Sequence, residues 1–265
     1  MKSGRISFIS ATLGVLALQV HAQGVLVEPS RIEITTRCGT QVEQTIRVSS
    51  LSPVPTAVAF SLQSFTLDAH GQPMHRHSAA LEETMSISAD AAVISPSAHI
   101  SVVLSITLPA DARGTTTAVL FVEPQPEGKA RVKTRIAVPI YVSAEGTTVQ
   151  SAAIETLHAV ALSREEIAVS AVVRNSGNAL LRFPIAFAIE MEGGSEATEV
   201  ASAEHPPFVI LPGGVRVIEM RIHGAFGNLP NLRAIALYRY AEKSLATATE
   251  RVSARPPERE GVAKT

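Results

Sequence analysis

Cysteine, aromatic residues and net charge are all scarce in this sequence. It contains one cysteine, no tryptophan, and aromatic residues at only 4% of its positions. Since Cys38 has no second cysteine to pair with, no disulfide bond can close within one chain, and the fold must be stabilised by packing. The formal net charge of -1 offers no general attraction to nucleic acid, so we expect no nucleic-acid partner. Apolar residues nevertheless make up 46% of the chain, which is enough to bury a core.

Short catalytic signatures are also missing. The sequence has no G-x-S-x-G turn, no Ser-x-x-Lys pair, no H-E-x-x-H motif and no phosphate-binding glycine loop. His75 and His77 share one side of an extended segment and could offer two ligands to a metal, but Arg76 separates them and no acidic cluster is adjacent. We therefore predict a polar loop there, with no metal site, no cofactor and no enzymatic activity. A catalytic site assembled from distant residues is the alternative that motifs do not exclude.

The one long apolar run lies at the N-terminus. Lys2 and Arg5 precede an apolar stretch over residues 6–20. The stretch ends with the small residue Val20, and a second small residue, Ala22, lies two positions later. The apolar stretch is shorter than the run of about 18 residues that predicts a membrane-spanning helix, and the whole pattern is typical of a signal peptide. We predict export, cleavage after Ala22 and no stable membrane span. An uncleaved N-terminal anchor is the alternative.

Apolar and polar residues alternate through most of the remaining chain. Over residues 100–108, every second position is apolar, and serine or threonine occupies most of the positions between. This period of two predicts half-buried strands, and residues 42–48 and 132–140 repeat it. In the second half, strands are predicted over residues 167–173, 181–191, 215–223, 231–241 and 244–252. Turn residues separate such segments at intervals of roughly 8–12 residues, which favours an all-β fold of the sandwich type.

A short neutral stretch over residues 143–148 separates two sets of predicted strands. Each set spans about 100 residues, the size of an ordinary domain. We predict a signal peptide over residues 1–22, an immunoglobulin-like β-sandwich over 23–145, a second β-sandwich of the same kind over 149–253, and a flexible tail over 254–265. A jelly roll is the alternative fold for each half.

Basic residues occupy every second position over residues 129–135. In an extended strand these charges project from one face, and the alternate residues over 132–138 face the other. Because Pro139 cannot donate to a central ladder, we predict that the strand over residues 131–142 lies at a sheet edge. The charges could simply keep this edge soluble and prevent aggregation. Alternatively, the edge could bind a strand of a partner by main-chain pairing.

Several short motifs follow one another in the first half of the chain. They cover a first strand with its arginine (27–34), a second strand (43–50), a turn leading into an aromatic strand (108–121), and a last strand (134–141). Their order resembles the N-terminal immunoglobulin-like domain of the periplasmic pilus chaperones, the PapD-like family, over approximately residues 24–145. The resemblance implies a periplasmic protein that performs no bond chemistry.

The resemblance also implies a carboxylate site and a donated strand. In that family, a first-strand arginine and a last-strand lysine hold the C-terminal carboxylate of a subunit. Arg31 matches the arginine, but Ala137 stands where the lysine is expected, so Lys133 and Arg135 are the candidate substitutes. The candidate subunit-binding residues of the edge strand are Val132, Thr134, Ile136 and Val138. An arginine fork can hold a carboxylate by two charge-assisted hydrogen bonds, although Arg31 could equally cap the first strand and pair with Glu28 or Glu33 at the surface.

The function implied by this resemblance is that of a periplasmic chaperone-like protein. Its partners would be exported pilus or surface subunits, with an outer-membrane usher as a further candidate partner. A surface-associated structural or adhesive β-sandwich module is the alternative hypothesis, because such a module would need the same architecture but no strand donation.

Overall fold

A computed structural model of the chain describes residues 24–125, 134–193, 196–227, 229–240 and 243–254. The predicted signal peptide, Val132 and Lys133, and the predicted tail beyond residue 254 lie outside these ranges. Within them the protein is built from strands, and its one helix is α1 (Ala79–Thr84). A search of the same residues finds no helix with the length and apolar character needed to cross a membrane.

The strands of the first half form two sheets that pack face to face. One sheet has the order β1 (Val25–Glu28), β3 (Gln41–Ser50), β8 (His99–Thr107) and β6 (Met85–Ile87). The other has the order β2 (Ile32–Thr36), β10 (Ile136–Ala144), β9 (Thr115–Pro124), β4 (Thr56–Leu67) and β5 (Pro73–Arg76), and β7 (Ala91–Ile94) pairs with the first part of β4.

The first core lies between these two sheets. In β8, Val102, Leu104 and Ile106 are at most 2% exposed, as the alternation over residues 100–108 predicts. Ile46 and Val48 of the neighbouring β3 are fully buried beside them. Alternate side chains of a strand point to one face, so a single apolar stripe on each strand is enough to close this core.

The second half repeats the two-sheet architecture with a core of its own. One sheet has the order β15 (Val215–His223), β12 (Glu166–Asn175), β11 (Ala152–Ala161) and β18 (Ser253–Ala254). The other has the order β14 (Glu196–Ile210), β13 (Leu181–Gly193), β16 (Leu232–Tyr240) and β17 (Lys243–Arg251). Ile167, Leu181, Phe187 and Tyr238 are fully buried between them. The predicted all-β fold with two β-sandwiches is therefore confirmed.

The chain changes sheets between β1 and β2. β1 pairs antiparallel with β3, whereas β2 pairs parallel with β10, from Ile32 opposite Ile140 to Thr36 opposite Ala144. β2 therefore covers only the second part of β10. The first part, residues 136–139, has β9 as its only strand neighbour in the described chain, and we name these four residues the open edge.

Candidate protein-binding site at the open edge

The open edge ends where Pro139 meets the paired part of β10. Pro139 lies opposite Val119 of β9, and no strand lies on its other side among the described residues. This edge position suits proline, which has no backbone N–H group to donate to a neighbouring strand. The predicted edge over residues 131–142 was too long, however, because Ile140 and Val142 lie between β9 and β2.

Alternate side chains of β10 face the first core. Ile136 is half-buried and packs against this core, and Val138 and Ile140 are fully buried within it. The burial of Val138 corrects the expectation that its side chain reaches a partner, since a side chain with no exposed surface fills its own domain. Ile136 is the apolar residue of this face that remains partly accessible, and Thr134 is exposed just before β10 begins.

The other face of β10 is turned towards the second sandwich. Tyr141 is only 7% exposed and belongs to an inter-domain cluster with Phe65, Val119, Phe121 and the second-half residue Leu211. Burial raises the pKa of the Tyr141 hydroxyl above its usual value, although nearby Arg182 partly opposes this shift. The cluster joins the two sandwiches, and the open edge lies next to it on β10.

Two arginines converge on one glutamate where the two sandwiches meet. Arg31 lies in the bend directly before β2, next to the end of the open edge, and its Nε is 2.8 Å from Oε1 of Glu33. Nη1 of Arg182, on β13 of the second sandwich, is 2.5 Å from the same oxygen. The guanidinium carbon of Arg182 also lies 5.5 Å from the ring centre of Tyr141. Glu33 therefore accepts contacts from both halves of the protein.

Arg135 has a separate partner. Its Nη2 is 2.6 Å from Oε1 of Glu123, and its guanidinium carbon lies 4.2 Å from the centre of the Phe121 ring. The structure thus brings Arg31 together with Arg182, a residue that the sequence did not indicate. Arg182 and its partner Glu33 are 149 positions apart, and no local pattern signals such a pair.

The relative position of the two sandwiches depends on a joint close to the linker. The N–H of Thr115 donates to the carbonyl oxygen of Asn178 at 2.8 Å, and the N–H of Leu180 donates to Oγ1 of Thr115 at 3.1 Å. Gly114 adopts a φ of 72°, and a Cβ atom there would lie 2.2 Å from the carbonyl oxygen of Asn178. Only glycine allows this close approach without movement of the backbone.

A second contact holds the turn between β4 and β5 against β15. The N–H of Val217 donates to the carbonyl oxygen of Ala69 at 2.7 Å. Arg216 fills the space above Gly71, and burial lowers the pKa of its guanidinium group while Asp68 partly compensates. Together with the joint, this contact sets where Arg182 lies relative to Glu33.

The two histidines considered as metal ligands have different surroundings. The ring of His75 packs edge-on against Phe121, with 4.9 Å between the ring centres. Nε2 of His77 is 3.2 Å from Oε1 of Glu82. In the part of the chain that the structure describes, no group of three or more histidine, cysteine, aspartate or glutamate residues could hold a metal ion.

Comparison with known proteins gives structural similarity only. No protein-family model matches the chain, and no curated protein matches it. The chain is structurally similar to solved fimbrial chaperones, the group that its first half resembles in sequence. The class 5 fimbriae chaperone CfaA is 10% identical with a TM-score of 0.49, and the match covers 87% of this chain and 99% of that one.

Two solved complexes are also similar. A chaperone–tip adhesin complex of CFA/I fimbriae biogenesis is 13% identical, covers 86% of this chain and 98% of its own, and has a TM-score of 0.48. The CsuC–CsuE chaperone–tip adhesion subunit complex from archaic Csu pili of Acinetobacter baumannii is 11% identical, with 74% and 89% coverage and a TM-score of 0.45. At these values the similarity assigns no function to this chain.

Proposed function

We propose that the protein is a periplasmic chaperone-like protein that binds exported β-rich subunits by pairing a subunit strand with the open edge. The observation that carries this proposal is the side of β10 at residues 136–139 that has no strand partner among the residues the structure describes, directly beside Arg31. Main-chain groups at such an edge pair with an added strand, and side-chain contacts select among strands. Ile136, half-buried at the rim of the first core, offers the apolar contact.

The direction of a bound strand follows from β2. β2 runs parallel to β10 and starts opposite Ile140. A strand placed in line with β2, on its N-terminal side, would therefore lie beside the open edge. A partner strand on this line with the same direction would end at the start of β2, where Arg31 lies. Arg31 would then hold the C-terminal carboxylate of the partner by charge-assisted hydrogen bonds. The proposed ligand is therefore the C-terminal strand of a subunit.

This mode of binding needs no bond chemistry and no cofactor, because pairing and burial supply the interaction. The predicted signal peptide is consistent with partners that are themselves exported. An outer-membrane usher is a further candidate partner, since a subunit held in this way must later be transferred.

Replacing Ile136 with aspartate should strongly weaken subunit capture. The substitution puts a charge at the apolar contact of the open edge, and loss of about 1.4 kcal/mol of binding free energy already lowers affinity tenfold. We expect a reduction of about tenfold or more. The subunit is identified by co-purification from a periplasmic extract and is then co-expressed with each variant, and the recovered complex is quantified.

Ile87→Asp is the matched control. Ile87 is also an isoleucine at the rim of the first core, but it lies on β6 of the opposite sheet. The control variant should capture the subunit as well as the unsubstituted protein does. Equal recovery with Ile136→Asp would contradict strand addition at the open edge. A partner that stays soluble alone, together with binding of the protein to surfaces, would favour the adhesive module instead.

A further inference from the structure

We propose that Arg31 and Arg182 form one carboxylate site shared by the two sandwiches, and that Glu33 occupies this site while no subunit is bound. The inference rests on the proposed function, because it assigns the second cation that meets the C-terminal carboxylate of the subunit. It also assigns a role to Glu33, whose side chain competes with that carboxylate.

The geometry of the glutamate supports a carboxylate site. Oε1 of Glu33 is 2.8 Å from Nε of Arg31 and 2.5 Å from Nη1 of Arg182. Two guanidinium groups repel each other unless an anion lies between them, and in the free protein Glu33 supplies that anion. Glu33 follows Arg31 by two positions and lies opposite Tyr141, so it is on the side of the sheet that faces the second sandwich. A carboxylate arriving along the open edge reaches the same pair of cations.

Arg182 is positioned before any ligand binds. Its side chain is 26% exposed, compared with 53% for Arg31, and its guanidinium carbon lies 5.5 Å from the ring centre of Tyr141. Attraction to the ring face and partial burial both restrict this side chain, so less conformational freedom is lost when it binds a carboxylate. Ala137, on the same side of β10 as Tyr141, carries no charge. The second positive charge of the site therefore comes from the second sandwich.

Exchange of carboxylates explains how the site selects a ligand. A strand with a free C-terminus replaces Glu33 and leaves both arginines paired. A strand that continues past Arg31, or that ends in an amide, supplies no charge to replace Glu33. Glu33 therefore lowers affinity for every ligand, and only a terminal carboxylate compensates for its displacement.

Peptide binding tests this inference. The probe is a short, fluorescently labelled peptide of alternating valine and threonine with a free C-terminus, compared with its C-terminal amide by fluorescence anisotropy. The unsubstituted protein should bind the free acid about tenfold more tightly than the amide. Arg182→Gln should remove this preference, and Arg182→Lys should keep part of it, because lysine retains the charge without the fork. Glu33→Gln should tighten binding of the free acid about tenfold.

The control variant is Arg174→Gln. Arg174 forms an exposed ion pair with Glu155 on the other sheet of the second sandwich, and its loss should leave the preference intact. If Arg31→Gln removes the preference while a folded Arg182→Gln keeps it, the role of Arg182 is wrong and the proposed function stands. If Glu33→Gln brings no gain, Glu33 is not the internal occupant. If the unsubstituted protein binds acid and amide equally, the carboxylate site itself is wrong.

Discussion

Replacing Gly114 with alanine should disrupt the joint between the two sandwiches and lower the free energy of unfolding by about 2–5 kcal/mol. Two effects add. Gly114 has a φ of 72°, where an L side chain costs about 1–2 kcal/mol. The new Cβ would also lie 2.2 Å from the carbonyl oxygen of Asn178, so the backbone must move and the hydrogen bond from Thr115 to Asn178 must lengthen or break.

Gly146→Ala separates these two effects. Gly146 has nearly the same φ, 71°, but apart from its two chain neighbours no atom of the described residues lies within 4 Å of its Cβ position. This variant should lose only the conformational contribution of about 1–2 kcal/mol. Denaturant unfolding measures both free energies, and hydrogen exchange at the Thr115 and Leu180 amides reports on the joint itself. Equal destabilisation by the two substitutions, with unchanged exchange at the two amides, would contradict the close contact.

Replacing Asn175 with alanine should destabilise the second sandwich by about 2–6 kcal/mol. Asn175 is fully buried at the end of β12. Its Nδ2 donates to the carbonyl oxygens of Ala179 at 2.7 Å and Ile210 at 3.1 Å, and its Oδ1 accepts from the N–H of Gly177 at 3.0 Å. Alanine makes none of these bonds. The N–H of Gly177 keeps a second acceptor, the carbonyl oxygen of Ser151 at 3.1 Å, but the two carbonyl oxygens lose the partner that Asn175 supplies, and each buried group left without a partner costs about 1–3 kcal/mol.

Ser176→Ala is the control for this substitution. Ser176 is the next residue, and its exposed hydroxyl bonds to the hydroxyl of Ser151 at 2.8 Å. Because water replaces this partner, the free energy of unfolding should change by no more than about 0.5 kcal/mol. Urea unfolding followed by circular dichroism compares the two variants. A destabilisation by Asn175→Ala as small as that of the control would mean that water satisfies the carbonyl oxygens of Ala179 and Ile210.

Strand positions were predictable where one face of a strand meets a core and the other meets solvent. β15 occupies residues 215–223, as its alternation predicts, because only one of its faces is buried. β14, over Glu196–Ile210, was missed. It contains Pro206 and Pro207, which argue against a central strand, and the structure places it at the edge of its sheet, where proline is tolerated.

The site was less predictable than the strands because its parts come from both sandwiches. Arg31 was identified through its place in a motif, and the edge through Pro139. The sequence could not show that Val138 is fully buried, since an alternating strand buries the same residues whether the covering surface is its own core or a partner. Arg182 was missed for a related reason. Its contact with Glu33 depends on how the two sandwiches are joined, and no local pattern encodes that arrangement.

The anchoring of β10 also determines which molecule loses entropy on association. Val138 and Ile140 fix this strand within the first core, and β9 pairs with it from Ile136 to Ser143. The open edge therefore keeps its extended conformation without a partner, and little freedom is lost on this side of the interface. An incoming strand must be ordered from a flexible chain, at about 1–2 kcal/mol per residue for the backbone. Subunits whose terminal segments are already extended will therefore bind more tightly than those whose termini are flexible.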